Sequence, residues 1–381
     1  MPAKTPTVQA KDAAVSARSS KTNQLAEGIL RDLVAIPSVT SDRTMNNKAL
    51  DYVDNFLRER GMHIERFEWD GYRSLVATTR QTKTPTVFFM GHLDVVPASE
   101  DDFILTERDG RYYGRGALDM KSGITAYMMA VDTLKDHLAD YDFGLMIVTD
   151  EETGGFKGAV KLIEAGYLPK VMVIEDGTPG WNLDKASKGI WHVVIEAHGK
   201  TAHGSCPWAG ENAVDKIISC IQDIRSHFPE LTAESNTFNV GLIRGGQAIN
   251  QVPSHATAGI DIRFTNKKEY ARIRAGVEAA LERHGAAISE EMYGDTMEND
   301  VTNPYLATYK ACMEEAIGRE VNWVLSKAAN DGRWFSAKGV PCAVFYPDGS
   351  GHHSAEEWVS TEALGQMEAV FVSFLDKVAR S

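Results

Sequence analysis

Two rhythms of apolar and polar residues divide the chain. In the first, short unbroken apolar runs alternate with longer segments whose apolar residues recur every three or four positions. The runs Val87-Phe88-Phe89-Met90, Leu145-Met146-Ile147-Val148 and Val171-Met172-Val173-Ile174 predict buried strands. Asn23 to Val34, with Leu25, Ile29, Leu30 and Leu33 on one side, predicts a helix. Further helices are predicted over Met45 to Arg60, ending at Gly61, and over Met120 to Leu138. Strands alternating with helices imply mostly parallel pairing with helix-covered faces.

The rhythm changes after Trp181. Gly189 to Ala197, Thr237 to Arg244, His255 to Phe264 and Ala286 to Met292 read as strands. Asn212 to Phe228 and Lys267 to Arg283 read as helices between them. The order β-α-β-β-α-β is that of a ferredoxin-like unit. Helix and strand patterns of the first kind resume from Pro304, with a strand at Val321 to Leu325, a loop at Ala328 to Arg333, a strand at Cys342 to Tyr346 and a last helix from Thr361 to Val378. The reading is therefore an α/β chain: a mixed, mostly parallel, helix-flanked sheet formed by 23–184 and 297–381, interrupted by a ferredoxin-like α+β insertion at 185–296. At 381 residues, two domains are the natural expectation. Residues 1–22, rich in Ala, Ser, Thr and Lys without an apolar centre, read as a disordered tail rather than a secretory signal.

Composition narrows the function by exclusion. Forty Lys and Arg against fifty-three Asp and Glu give a net charge of −13, which argues against nucleic acid or an anionic membrane as partner. No apolar run reaches the length of a membrane span. The four cysteines are scattered without a C-x-x-C pair, which fits reduced thiols in a cytoplasmic protein.

The candidate chemistry sits where predicted strands stop. Gly91-His92-Leu93-Asp94 follows the first run, Gly114 to Lys121 with Asp119 precedes the long helix, and Asp150-Glu151-Glu152 follows the second run. Ligands of open α/β sheets bind outside the carboxyl ends of the strands, so these clusters should converge. Taken singly, each has a plain reading: His92 as a satisfied histidine, Asp119 as a helix N-cap, Glu151-Glu152 as a solvated turn. Adjacent carboxylates at the buried end of an apolar strand are costly unless a cation offsets them. Glu175-Asp176 ends the third run, and His352-His353 lies in a later loop. Imidazoles and carboxylates without competing thiols suit Zn²⁺ or a similar ion, and an aspartate shared between ions would serve two. Paired metals roughly 3.5–4 Å apart are typical of aminopeptidases and related hydrolases.

The stretches GHLDVVP (91–97), GRGALDMKSG (114–123), TDEETGG (149–155) and HGKTAHGSCPWAGENAV (198–214) resemble the family of acetylornithine deacetylase, succinyl-diaminopimelate desuccinylase and bacterial glutamate carboxypeptidase. The resemblance runs in order over nearly all of the chain after residue 23. It implies a catalytic domain with two Zn²⁺ per subunit, Co²⁺ or Mn²⁺ being substitutes, and a lid through which a homodimer forms. It implies that His92 binds one zinc, Asp119 bridges both, Glu152 binds the second and Glu151 is the general base, with Asp94 orienting His92. Aligned on Thr178, the next ligand is Asp176, where the deacylases have Glu and tripeptidases and dipeptidases have Asp-Gly. His353, followed by Glu357 and Trp358, fits the last ligand, with His352 as a neighbour. In the lid, His203 resembles the histidine that reaches a partner's site and steadies the oxyanion. Asn250 and Arg263 resemble residues that hold a substrate carboxylate, although Arg263 alone reads as a strand arginine paired with Asp261. The implied substrate is a small N-acyl amino acid or a short peptide. The implied reaction is amide hydrolysis, deacetylase- or desuccinylase-like, with a dipeptidase, tripeptidase or carboxypeptidase as the alternative.

Overall fold

The computed structural model describes residues 24–380, so the tail expected over 1–22 lies outside the described residues. Among the described residues two compact units emerge: 24–185, 299–324 and 330–380 form one, and Ala186–Glu298 with Leu325–Ala329 forms the other. The short segment Leu325–Ala329 thus groups with the inserted unit rather than with the returning chain.

The first unit is built on a six-stranded sheet in the order His63–Trp69, Tyr72–Thr78, Phe143–Val148, Val87–His92, Val171–Ile174, Cys342–Val344. The last four run parallel and the first two join antiparallel, giving the mixed, mostly parallel sheet expected. Every residue of the four parallel strands is buried, which is why they read as unbroken apolar runs instead of alternating ones. The core joins Phe89, Leu145 and Val173 of these strands to Tyr127, Phe371 and Phe374 of the flanking helices Lys121–Leu134 and Ala363–Val378. Asp42 caps the helix Arg43–Glu59, its carboxylate accepting the N–H groups of Thr44 and Met45.

The helix expected to Leu138 gives way at Leu134 to a tighter 3₁₀ segment, Lys135–Asp140. Leu138 is still buried, so the apolar spacing continued past the end of the α-helix. The strand expected over Val321 to Leu325 lies at Trp323–Ser326, and within the expected loop at Ala328 to Arg333 a short helix, Gly332–Ser336, begins.

A second, small sheet of this unit went unread in the sequence. Its strands Gly349–Ser350, Trp358–Ser360, Arg111–Tyr113 and Thr106–Arg108 pair antiparallel. Trp358 lies opposite Tyr113, which holds the loop containing His353 beside the loop that leads to Asp119.

The inserted unit has a four-stranded antiparallel sheet in the order Thr237–Gly245, His255–Phe264, Gly189–His198, Ala286–Gly294. Its helices Ala213–Arg225 and Lys267–His284 bury one sheet face, where Trp191, Val193, Ile195, Ile260 and Ile262 meet Ile217, Ile221, Ile273 and Val277. This is the ferredoxin-like arrangement expected from the sequence.

Candidate metal centre

The parallel strands deliver the acidic and imidazole side chains at their carboxyl ends. His92 closes Val87–His92, Glu151 and Glu152 start a 3₁₀ turn three residues beyond Val148, and Asp176 lies two beyond Ile174. One ligand atom each from His92, Glu151 and Asp176 falls within 4.8 Å of the others, and the same holds for Asp119, Glu152 and His353. Asp119 joins the two groups. Its Oδ1 lies 3.1 Å from His92 Nε2, while its Oδ2 lies 3.2 Å from His353 Nε2. His353 Nε2 is also 3.2 Å from Glu152 Oε2. Atoms 2.0–2.1 Å from a tetrahedral ion stand roughly 3.3 Å apart, so these separations suit ligands that share ions.

The hydrogen bonding of His92 supplies the stronger test of fit. Its Nδ1 is 2.9 Å from the backbone carbonyl of Asp94, an acceptor, so Nδ1 carries the proton. The neutral ring then aims the lone pair of Nε2 at a carboxylate oxygen, and only a second proton or a cation can sit between them. Burial opposes charging His92, but the Asp119 and Asp94 carboxylates outweigh it and raise the ring well above the ordinary histidine range. Asp119 answers in the opposite sense: burial would raise its carboxyl, and the imidazoles of His353 and His92 hold it far below.

The remaining carboxylates are crowded. Burial, then Asp119, pushes Asp176 up to about 7. Burial, then Asp176, with Asp331 and Glu152 adding, holds Glu151 well above the usual range. Burial, then Asp150, pushes Asp331 up to about 7, and neither Asp331 carboxylate oxygen has a hydrogen-bond partner. Such a site accumulates negative charge that divalent ions would neutralise. The residues present therefore fit a pair of metal ions.

Several supporting contacts were not read in the sequence. Asp94, fully buried, was expected only to orient His92. Its carboxylate also accepts the N–H groups of Glu151 and Glu152, each at 3.2 Å, and the hydroxyl of Thr40 at 3.0 Å. One aspartate thus fixes both glutamates. The Tyr346 hydroxyl donates to Asp176 Oδ1 at 2.8 Å. Glu357, buried beside Arg115, accepts the N–H groups of Leu118 and Asp119 at 3.0 Å each and so sets the loop that carries Asp119. The aromatic partner at Tyr346 and the Glu at 357 were visible as residues, but nothing local announced their contacts.

The two ambiguous pairs separate. Glu175 points away from the cluster, fully buried, with its carboxylate accepting the Ser122 hydroxyl at 3.3 Å. His353 takes the inward place, with a left-handed backbone (φ 63°), while the ring of His352 lies 6.3 Å from that of Tyr346.

The three lid candidates lie in the inserted unit. His203, exposed, sits on the short strand Ala202–His203, which pairs with Gln251–Val252, and its Nδ1 is 2.8 Å from the Ser205 hydroxyl. Asn250 is exposed, and its backbone carbonyl accepts the Gly204 N–H at 2.7 Å. Arg263 grips Asp261 with Nε at 2.8 Å and Nη2 at 3.2 Å, the pairing that its place on a strand suggested.

Comparison with known proteins adds the family. The model of peptidase family M20/M25/M40 matches residues 88–377. The chain belongs to this family. As an M20-family protein it is a hydrolytic enzyme, with candidate metal-binding groups in the first unit. Among its relatives, succinyl-diaminopimelate desuccinylase of Thioalkalivibrio sulfidiphilus is 26% identical over 330 residues, 78% of this chain and 85% of the relative. That of Bordetella avium is 27% identical over 380 residues, 92% of this chain and 97% of the relative. Among solved structures, a tripeptidase from Staphylococcus aureus superposes with TM-score 0.78 at 18% identity, covering 93% of this chain and 98% of that one. An M20-family metallo-carboxypeptidase from Sulfolobus solfataricus gives 0.75 at 17%, covering 92% and 98%. At such identities the structural likeness speaks for the fold alone. Among the described residues no helix is long and apolar enough to cross a membrane.

Proposed function

We propose that this M20-family hydrolase cleaves the amide bond of an N-acyl amino acid, in the manner of a deacetylase or desuccinylase, and does so in the cytoplasm as a homodimer. The observation that carries the metal-dependent part is the sharing of Asp119 between two imidazoles, one of which turns its Nδ1 to the Asp94 carbonyl and its Nε2 to the shared carboxylate. His92 and Asp176 would hold one Zn²⁺, Glu152 and His353 a second, and Asp119 both. Such ions, when bound, polarise a carbonyl and make a water more acidic. Glu151, fixed by its N–H on Asp94 and left out of the Asp119 bridge, accepts the proton of the attacking water. As the carbon–nitrogen bond breaks it returns that proton to the departing amine, leaving a carboxylate and an amino acid. His203 is proposed to steady the oxyanion in a partner's centre. Asn250 and Arg263 are proposed to hold the substrate carboxylate, and Arg263 would have to share its guanidinium with Asp261.

The deacylase reading draws on the named relatives, which match over most of both lengths. One observation favours a di- or tripeptidase instead: Asp176 stands where the deacylases resemble one another in having Glu. A panel of N-acetyl- and N-succinyl-amino acids, dipeptides and tripeptides, offered to the zinc-loaded protein, separates the two. Turnover of the acyl amino acids is expected to exceed that of the peptides. Hydrolysis of peptides alone would replace the first reading by the second.

A further inference from the structure

Outside the catalytic set, the second unit carries one more gathering of ligand-type side chains. Glu196 and His198 lie two apart on Gly189–His198, so both project from the sheet face opposite the helices. His255 begins the neighbouring strand, directly opposite His198 in the antiparallel register. The carboxylate of Glu196 divides between the two rings: Oε1 is 3.3 Å from His198 Nε2, and Oε2 is 3.5 Å from His255 Nε2. The imidazole rings are 5.2 Å apart, centre to centre. Ligand atoms of all three residues fall within 4.8 Å of one another.

We propose that Glu196, His198 and His255 form a separate site for a divalent late transition ion such as Zn²⁺, Ni²⁺ or Cu²⁺. The nitrogen–oxygen separations are close to the roughly 3.3 Å edge of a tetrahedron with 2.0–2.1 Å bonds. Two imidazoles and one carboxylate are the donor chemistry these ions take, and solvent would complete the coordination. Their positions are rigid, because the two strands pair without a break from His255↔His198 to Phe264↔Gly189. Space is available, since the residues paired with Glu196 on either side are the small Thr257 and Ala287. Lys216 does not compete for the carboxylate, because it donates to the His198 carbonyl at 2.8 Å and pairs with Glu211 at 2.6 Å. Both rings are exposed, His198 at 72% and His255 at 54%, so an ion can enter from water and the side chains can be changed without emptying a core.

The site shares no residue with the catalytic set and does not depend on the reading of that set. The test compares untagged full-length protein with His198→Ala/His255→Ala after equilibrium dialysis at one free Zn²⁺ concentration, followed by metal analysis. The wild type is expected to retain one zinc equivalent more than the variant. With Cu²⁺ as probe, a spectrum showing coupling to two imidazole nitrogens should disappear in the variant. Equal zinc contents, with circular dichroism showing both proteins folded, overturn the proposal whatever the catalytic centre holds. If the double variant folds poorly, His255→Gln alone gives the same comparison, and again an unchanged zinc content overturns it.

Discussion

Replacing Glu151 with Gln separates catalysis from metal holding and from stability. The amide keeps the size of the side chain but takes no proton at neutral pH. The backbone N–H that anchors residue 151 to Asp94 at 3.2 Å is untouched, as is that of Glu152 beside it. His92, Asp119, Glu152, Asp176 and His353 all remain, so the metal content should stay at the wild-type level. A positioned general base contributes about 10²–10⁴-fold, or about 3–5 kcal/mol of transition-state stabilisation, and kcat should fall by that factor. Stability should move in the other direction. Burial, then Asp176, with Asp331 and Glu152 adding, holds the Glu151 carboxyl well above its usual value. A carboxyl raised by folding favours the fold while protonated. That contribution is complete below the unfolded value, about 4.3, and is lost as pH rises through the folded one. Gln never ionises, so metal-free Glu151→Gln at pH 8 should melt no lower than wild type and lose less stability between pH 5 and 8. The assay is steady-state turnover on a substrate from the panel, with zinc content and melting of the chelated protein at both pH values. Wild-type turnover would refute the assignment of the base. Loss of zinc, or a lower melting temperature at pH 8, would make Glu151 a ligand or a structural group instead.

Chelation should destabilise the protein more at pH 8 than at pH 6. The Asp119 and Glu152 carboxylates raise His353 to about 10, burial and then Asp119 raise Asp176 to about 7, and an arriving ion must displace both protons; an equal or reversed shift in melting temperature would contradict this. Arg115→Met should cost about 3–5 kcal/mol by stranding Glu357 in the core, whereas Arg115→Met/Glu357→Gln, which removes the stranded charge and keeps an acceptor for the Leu118 and Asp119 N–H groups, should recover part of the loss. Denaturant titration of the three proteins would refute the pairing argument if the double variant were no better than the single. Gly123→Ala would bring a Cβ into the Glu175 carboxylate and to 2.7 Å from Glu175 Cβ. Overpacking of that kind costs about 1–3 kcal/mol, and an unchanged melting temperature would show that the helix start gives way freely.

What could be read from the chain alone was local. His92, Glu151 and Asp176 each follow an apolar run, and the runs carry their own signal because parallel strands are buried on both faces. The helices and strands of the insertion are long enough to show their period. The strands that bring His353 to Asp119 span two or three residues each, too few for any period to register. Here the resemblance to a family supplied what pattern could not.

The same limit explains the supporting contacts. Arg115 and Glu357 are 242 positions apart, and Tyr346 reaches Asp176 across 170. Neither residue type is rare, so only the folded chain shows that they meet. Asp94 makes the point at short range: H-x-D suggested a carboxylate steadying its own histidine, which it does mainly through its carbonyl. Its side chain instead takes the two N–H groups at the start of the glutamate turn, 57 and 58 residues on. Those donors head a turn and have no partner within it, so a buried acceptor had to come from elsewhere. Because the neighbouring strands run parallel, their carboxyl ends share one side of the sheet. A residue just past one strand's end is thereby placed to anchor the turn that follows the next, and Asp94 holds His92 through its backbone carbonyl and the Glu151 and Glu152 N–H groups through its carboxylate.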